Sequence, residues 1–257
     1  MEACAASEVP GDQPVTRKPE SNCTYSHCSR GPFQLSKAVV APVKPLRPPE
    51  VGSCVLGQVS AVVSPSCFYL VFPYGRRSLE RLSTDGINSY SKETFDTLRD
   101  LQASCDKACS RGNQREVPAQ GEMVAAKSNL DGRWYRARVV SLEKGDRLKV
   151  FYVDSGFCES VPSDQVNTLE ASFTQLPQQA LQACLVTDKA KNRLSNKPIW
   201  DDYSCEAFAS CVSGKDLVVK VVCAAQGLLH VRLFFPNGDQ LCSVWNCLRK
   251  ARKTEPN

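Results

Sequence analysis

The sequence predicts a mainly β protein with a few helices, in which one small barrel is inserted into a second β-unit that is split around it. Three observations predict this arrangement. Residues 121–166 hold short strand segments at close spacing, which is typical of a small barrel. Other strand segments lie on both sides of this region, far apart in the chain. Segments whose apolar residues recur at helical spacing separate the inner strands from the outer ones.

The N-terminal part leads from an irregular arm into the first strands. Residues 1–49 are rich in Pro and Ser and have no apolar period, so they predict a disordered arm. The arm ends in an extended proline-rich lead at 42–50. Residues 52–72 then predict two strands around a turn at 64–66. A long helix is predicted over 91–111.

The central strands carry most of the aromatic residues of interest. The segments Trp134–Leu142 and Arg147–Val153 flank a hairpin turn, and a third short strand follows the turn at Asp154–Gly156. Asp154 is expected to cap this turn by bonding backbone N–H groups. Alternation along these strands places Tyr135 and Tyr152 on the same faces as the aliphatic residues of their strands. A small barrel with rings near its mouth is able to hold a flat or methylated cation.

The C-terminal part returns to the outer unit. Residues Leu176–Val186 predict a strand, or a short helix leading into one, and a helix begins at Asp202. The segments Leu217–Cys223 and Leu228–Phe235 predict two further strands. The chain then ends in a basic tail, 249–257.

The net charge of +5 comes from the two ends of the chain. Residues 50–248 hold 22 basic and 22 acidic side chains. A neutral folded part does not predict a strongly basic groove for nucleic acid.

The 14 cysteines do not form a metal-binding pattern, because none of their spacings is a CxxC knuckle. The N-terminus has acidic residues and no apolar stretch of the kind found in signal peptides, and no apolar run is long enough to span a bilayer. We therefore expect an intracellular protein whose thiols are mostly reduced, with no metal or other cofactor. Most cysteines of the folded part are expected to act as small apolar residues.

Four segments carry a resemblance to a known family. They are Asp131–Ala137 (DGRWYRA), Val150–Asp154 (VFYVD) with the following Gly156, and, in the C-terminal half, Leu176–Cys184 and Ala207–Leu217. Together they resemble the extended Tudor domain, in which an SH3-like Tudor barrel is inserted in a split, staphylococcal-nuclease-like OB-type barrel and joined to it by a long linker helix.

The resemblance covers about residues 50–250 and implies a division of the chain into parts. These are a nuclease-like first part at 50–90, the linker helix at 91–111, a Tudor core at 119–170 and a nuclease-like second part at 175–248. It also implies binding and not catalysis. Members of the family read methylated arginine in Arg-Gly peptides, and many engage Piwi-type proteins in germline granules. It thus implies a cytoplasmic adaptor of the piRNA pathway; a nuclear location is not excluded.

The family's aromatic cage maps only partly onto this sequence. Tyr135 and Tyr152 match two of its walls. Asn129 and Ser155 stand where the family has aromatic residues, and Phe157 stands where it has an asparagine that fixes a guanidinium N–H. These five residues are the candidate ligand-binding site.

Two interpretations of the site stay open. In the first, the cage is degenerate and dimethylarginine binds weakly or not at all, because each aromatic wall contributes about 0.5–2 kcal/mol. In the second, Phe157 rebuilds a wall, while Asn129 or Ser155 supplies the polar contact. An arginine-rich peptide of a Piwi-type or ribonucleoprotein partner is the expected ligand in both, with no membrane partner.

Two other function classes are weighed against a protein-binding module. RNA binding through the OB-type half or the basic tails is the alternative, although the neutral folded part predicts weak, salt-sensitive binding. An enzyme is not predicted and no catalytic residue is assigned, because the only adjacent carboxylate pair, Asp201-Asp202, lies at an expected helix start.

Overall fold

The computed structural model describes residues 43–76, 78–79, 100, 102–107, 117–186, 200–237 and 240–251. Most of the predicted arm and most of the predicted linker helix lie outside these residues; within the latter, 102–107 are helical. The two remaining α-helices of the described part are α1 (Asp202–Val212) and α2 (Val244–Ala251). The strands are β1 (Cys54–Ser64), β2 (Cys67–Val71), β3 (Met123–Lys127), β4 (Trp134–Glu143), β5 (Arg147–Tyr152), β6 (Cys158–Pro162), β7 (Val166–Thr168), β8 (Leu181–Leu185), β9 (Leu217–Ala225), β10 (Leu228–Asn237) and β11 (Gln240–Ser243).

The outer unit is a closed five-stranded barrel with one extra strand. β1 pairs with β2, β2 with β8, β8 with β10, β10 with β9, and β9 with β1, which closes the ring. The β8–β10 pair is parallel and the others are antiparallel, while β11 extends the sheet beyond β10. Helix α1 follows β8 in the chain and packs against β1. This is an OB-type barrel.

The inner unit is a second barrel-like sheet, in the order β6-β5-β4-β3-β7. All five of its strands lie in the chain between β2 and β8 of the outer barrel. The structure therefore confirms the predicted fold class, a small barrel inserted into a split one. Alternation along the strands builds its core, as expected from the sequence. The buried core residues are Val124, Ala126, Ala137, Val139, Leu148, Val150, Tyr152, Val161 and Val166.

A separate hydrophobic cluster joins the two barrels. Tyr69 of β2 and Phe151 of β5 contact each other within it, with ring centroids 5.4 Å apart. Val43, which lies inside the predicted arm, is 5% exposed and belongs to the same cluster. Cys105 of the helical segment is also buried there. The barrels thus share apolar packing in addition to their covalent links.

Helix α1 begins where the sequence predicts it. The Asp201 side chain accepts a hydrogen bond from the backbone N–H of Ser204 (2.8 Å), which satisfies one of the donors at the helix start. Phe208 and Val212 are fully buried in the outer core. Helix α2 continues to Ala251, so the first residues of the predicted basic tail are helical. None of the helices in the described part is long and apolar enough to cross a membrane.

Candidate aromatic binding site

Three of the five predicted site residues form a ring cluster at one end of the inserted barrel. Tyr135 is the second residue of β4, Tyr152 is the last residue of β5, and Phe157 immediately precedes β6. The antiparallel β4–β5 register brings the first two together. The backbone N–H of Tyr152 donates to the carbonyl of Phe157 (2.9 Å), so these two residues lie opposite each other. Tyr135, Tyr152 and Phe157 are called the ring cluster below.

The rings pack directly against one another. Tyr135 meets Tyr152 nearly edge-on, with centroids 5.6 Å apart and planes at 71°. Tyr152 and Phe157 are parallel, with planes at 3° and centroids 6.3 Å apart. The two parallel planes are therefore at most 6.3 Å apart, whereas a planar group sandwiched between them needs about 7 Å, twice a normal carbon contact of ~3.5 Å. In this conformation the slot is too narrow for a guanidinium.

The exposure of the rings shows which of them is able to move. Tyr152 is only 3% exposed and belongs to the barrel core, whereas Phe157 is 38% exposed. Phe157 is thus the outer wall of the ring cluster and Tyr152 is its fixed base.

Two carboxylates hold the tyrosine hydroxyls. The Tyr152 hydroxyl donates to Glu159 Oε2 (2.9 Å), and the Tyr135 hydroxyl donates to Asp131 Oδ2. Burial, followed by the charge of Glu159, raises the pKa of Tyr152 well above its ordinary value. Burial and the hydrogen bond to Asp131 do the same for the pKa of Tyr135. Both tyrosines stay neutral at physiological pH, beside negative charge that favours a cation.

The other two predicted residues lie at the edge of the cluster and add no ring. The backbone N–H of Asn129 donates to Glu159 Oε1 (3.2 Å), and its side-chain Nδ2 donates to the Ser160 carbonyl (3.1 Å). Ser155 lies in the turn that connects Tyr152 to Phe157, and its backbone N–H donates to the Tyr152 carbonyl (3.3 Å). The Nδ2 group of the Asn129 side chain is therefore already engaged by the protein.

Asp154 does not have the role that the sequence indicated. We expected it to cap its own turn, but its carboxylate pairs with Arg136, accepting from Nε (2.8 Å) and Nη2 (2.6 Å). The backbone N–H of Gln179 donates to the same carboxylate (3.0 Å). The turn is closed instead by the Tyr152 carbonyl, which accepts from Ser155 and Gly156.

Arg136 is the largest side chain among the most deeply buried of the described residues. Besides Asp154 it donates to three backbone carbonyls, those of Phe173 (2.8 Å), Leu176 (2.6 Å) and Pro177 (3.1 Å). Each nitrogen of its guanidinium thus donates to an acceptor within the protein. It ties the inserted barrel to the segment that leads back to the outer barrel, and it is not available to a ligand.

The turn that carries Phe157 is pressed against the outer barrel. Gly156 has φ +75°, and a Cβ placed on it would lie 2.1 Å from Cγ of Tyr69 on β2. Only glycine permits both this backbone conformation and this approach. The position of the outer wall is therefore set partly by the other barrel.

Nothing in the described part suggests a metal centre or a tryptophan wall at this site. No group of three or more His, Cys, Asp or Glu side chains among the described residues is placed to hold a metal ion. Trp134, next to the ring cluster in sequence, packs partly buried against the hydrophobic cluster between the barrels.

Comparison with known proteins gives one family. The family model described as "Tudor domain" matches residues 55–187. Among curated proteins, Tudor domain-containing protein 1 of Danio rerio is 29% identical over 141 residues, which is 53% of this chain and 11% of the relative. The corresponding protein of Homo sapiens is 28% identical over 142 residues, again 11% of its length. The chain thus spans about a tenth of the length of these relatives.

Solved structures show the same fold. The extended Tudor domain TD3 of mouse TDRD1, in complex with a MILI peptide containing dimethylarginine 45, superimposes with a TM-score of 0.65 at 25% identity, covering 81% of this chain and 96% of that one. The extended Tudor domain of BmPAPI in complex with sDMA gives a TM-score of 0.62 at 25% identity, covering 78% and 97%.

Proposed function

The chain belongs to the Tudor domain family, and from that premise we propose that it is a non-catalytic peptide-binding module whose ring cluster receives an arginine side chain of a partner protein, with only a weak preference for dimethylarginine. The solved relatives support a peptide ligand. The mouse TDRD1 domain is bound to a dimethylarginine peptide of MILI, and a further relative, Papi of Drosophila melanogaster, to peptides of Piwi both with and without methylation.

The parallel stacking of Tyr152 and Phe157 is the observation that carries this proposal. Their centroid distance of 6.3 Å must grow before a guanidinium can enter, so binding has to displace a ring contact. Aromatic pairs are worth about 0.5–1.5 kcal/mol beyond their burial, and this amount is subtracted from the affinity. Phe157 is able to move because it is 38% exposed.

The composition of the site weakens the response to methylation further. Ser155 and Asn129 contribute no ring, so two walls at about 0.5–2 kcal/mol each are missing. This corresponds to roughly five- to several-hundred-fold in affinity. The carboxylates of Asp131 and Glu159 still favour a cation, whether methylated or not.

The proposal is tested by calorimetry with one Arg-Gly peptide in unmethylated, monomethylated and symmetrically dimethylated forms. We expect weak binding of all three forms, differing by less than about tenfold, and a further loss in Phe157→Ala. Leu142→Ala is the matched control, because Leu142 is an exposed apolar residue (59%) near the opposite end of β4. Micromolar binding that requires dimethylation would refute the proposed weak preference for dimethylarginine. Equal affinities of Phe157→Ala and the control would refute the assignment of the ring cluster as the binding site.

A double substitution tests whether the residues at positions 155 and 157 cause the weak binding of dimethylarginine. Ser155→Tyr combined with Phe157→Asn supplies a ring and a neutral polar anchor in the places where the family has them. A ring adds about 0.5–2 kcal/mol and a hydrogen bond to a charged group about 1.5–3 kcal/mol, while the Phe157 wall is lost. We expect the affinity for the dimethylarginine peptide to rise about ten- to a hundred-fold. An unchanged affinity for that peptide would contradict this explanation.

The partner and its location follow as part of the same proposal. An arginine-bearing segment of a Piwi-type or ribonucleoprotein partner in cytoplasmic granules fits the family, whereas the neutral charge of residues 50–248 gives RNA binding no comparable support.

A further inference from the structure

The outer surface of the split barrel carries a thiol beside an imidazole, on strands that contribute nothing to the ring cluster. Cys184 on β8 and His230 on β10 are partners in the parallel register of these strands. Cys184 Sγ lies 3.1 Å from His230 Nδ1, which is hydrogen-bond distance for sulfur. Both residues are partly exposed. A thiol next to an imidazole nitrogen has a base that is able to take its proton, and the resulting thiolate is the nucleophile.

A second thiol lies on the neighbouring strand. In the antiparallel β2–β8 pair Phe68 is the partner of Ala183, and Cys67 and Cys184 are the next residues of their strands beyond this last pair. The Gln182 side chain donates to Cys67 Sγ (3.3 Å), which places that sulfur on the outer face that Gln182 shares with Cys184. Neighbouring strands of a sheet lie about 4.7–4.9 Å apart, and a disulfide spans Cα–Cα distances of about 4.4–6.8 Å.

We propose that Cys184 is a peroxide-reactive thiol, with His230 as its base and Cys67 as its resolving thiol, and that the two cysteines form a reversible disulfide between β2 and β8. His230 Nδ1 takes the Cys184 proton, and the thiolate attacks one oxygen of a hydroperoxide. The O–O bond breaks, giving a sulfenic acid, and the leaving oxygen takes the proton from His230 to become an alcohol, or water from hydrogen peroxide. The Cys67 sulfur then attacks Cys184 Sγ, and water leaves with the Cys67 proton. Two thiols are oxidised and one peroxide is reduced; a thiol reductant reverses the step.

The position of this pair in the topology gives the disulfide a structural consequence. The whole inserted barrel lies in the chain between β2 and β8. A bond between Cys67 and Cys184 would close the loop that contains it and join the two halves of the split barrel directly. Disulfides that close long loops constrain the unfolded chain most. Oxidation should therefore stabilise the fold without any contact to the ring cluster.

The same surface supplies a matched control. Cys223 on β9 is the register partner of His230 on its other side, and it is more exposed than Cys184. If exposure alone governed reactivity, Cys223 would react first. A metal site is a poor alternative, because no three ligating side chains converge anywhere in the described residues.

The first experiment measures the alkylation rate of each cysteine with iodoacetamide by mass spectrometry of the native chain. We expect Cys184 to react at least about fivefold faster than Cys223, and His230→Gln to remove this difference. The rate at Cys242, an exposed cysteine on β11, should stay unchanged in the variant and reports that the fold is intact. A Cys184 rate no higher than that of Cys223, or one unaffected by His230→Gln, overturns the proposal.

The second experiment treats the chain with hydrogen peroxide and maps disulfides without reduction. We expect the Cys67–Cys184 peptide pair, a higher melting temperature and reversal by dithiothreitol, all three lost in Cys67→Ser and retained in Cys223→Ser. Linkage of Cys184 to another cysteine, or its oxidation with no linkage, refutes the resolving role of Cys67. The reduced forms of wild type and Cys67→Ser should melt alike, which separates the missing bond from damage to the fold.

Discussion

Gly156→Ala should be among the most destabilising single-methyl additions in the described part of the chain. Its added Cβ would lie 2.1 Å from Cγ, 2.4 Å from Cβ and 2.6 Å from Cδ1 of Tyr69. These atoms lie near the Tyr69 backbone, so the ring cannot simply swing away from the contact. Tyr69 is 5% exposed and packs on Phe151, which closes its other side.

The magnitude has two parts. Gly156 has φ +75°, and the left-handed region costs an L-residue about 1–2 kcal/mol. Forcing a methyl group into a packed core costs about 1–3 kcal/mol. The sum is a loss of about 2–5 kcal/mol in the free energy of unfolding. At about 2–4 °C per kcal/mol for a domain of this size, the melting temperature should fall by roughly 4–20 °C.

Urea denaturation of Gly156→Ala and Gly145→Ala separates the two parts. Gly145 has nearly the same φ, +74°, but no atom lies within 4 Å of the position that a Cβ would take there, so only the conformational cost applies. We expect Gly156→Ala to lose clearly more stability than Gly145→Ala. Combining it with Tyr69→Gly, which deletes all three of these Tyr69 atoms, should remove that excess. Equal losses in the two alanine variants would refute the claim that the turn is pressed against β2.

Three further predictions concern stability. Arg136→Leu should lower the free energy of unfolding by about 3–5 kcal/mol, because it leaves the Asp154 carboxylate without its cation; urea denaturation measures this, and a loss below about 1 kcal/mol would contradict it. Asp201→Ala should cost about 0.5–2 kcal/mol in the same assay through loss of the α1 cap, with no change in peptide affinity. The pKa of Tyr152 is higher in the folded protein than its unfolded value near 10, so folding favours the neutral hydroxyl. The resulting stabilisation is complete below pH 10 and is lost as the pH rises towards the folded pKa. Unfolding should therefore become easier above pH 10. Tyr152→Phe should flatten that alkaline decline.

Features set by neighbouring residues could be predicted from the sequence. Alternation in β4 and β5 identified the faces of Tyr135 and Tyr152, because side-chain direction in a strand depends only on the strand period. The start of α1 at Asp202 followed from an acidic side chain able to cap the first turn. The insertion followed from the order of strands along the chain.

Contacts between distant segments could not be predicted in this way. Asp154 looked like a turn cap because Asp often bonds to nearby backbone, yet it pairs with Arg136 and with the backbone of Gln179, 25 residues away. The thiol–imidazole contact of Cys184 and His230 depends on a parallel pairing whose register no local pattern reveals.

The replacement at Phe157 shows how a local change and a distant contact combine at the site. The sequence shows only that an aromatic ring stands here in place of the family's asparagine amide. The structure adds that the hydrogen bond between the Tyr152 N–H and the Phe157 carbonyl sets the two side chains opposite each other, so the ring stacks on Tyr152 and covers it. The next residue towards the turn is Gly156, held against Tyr69 of the outer barrel. A ligand that lifts Phe157 must therefore work against a turn braced by the other barrel. Changes at Tyr69, which lies outside the inserted barrel and apart from any ligand contact, should therefore alter the affinity for arginine peptides. Tyr69→Leu should loosen the turn and shift the affinity that calorimetry measures. An unchanged affinity would show that the outer barrel does not influence the ring cluster.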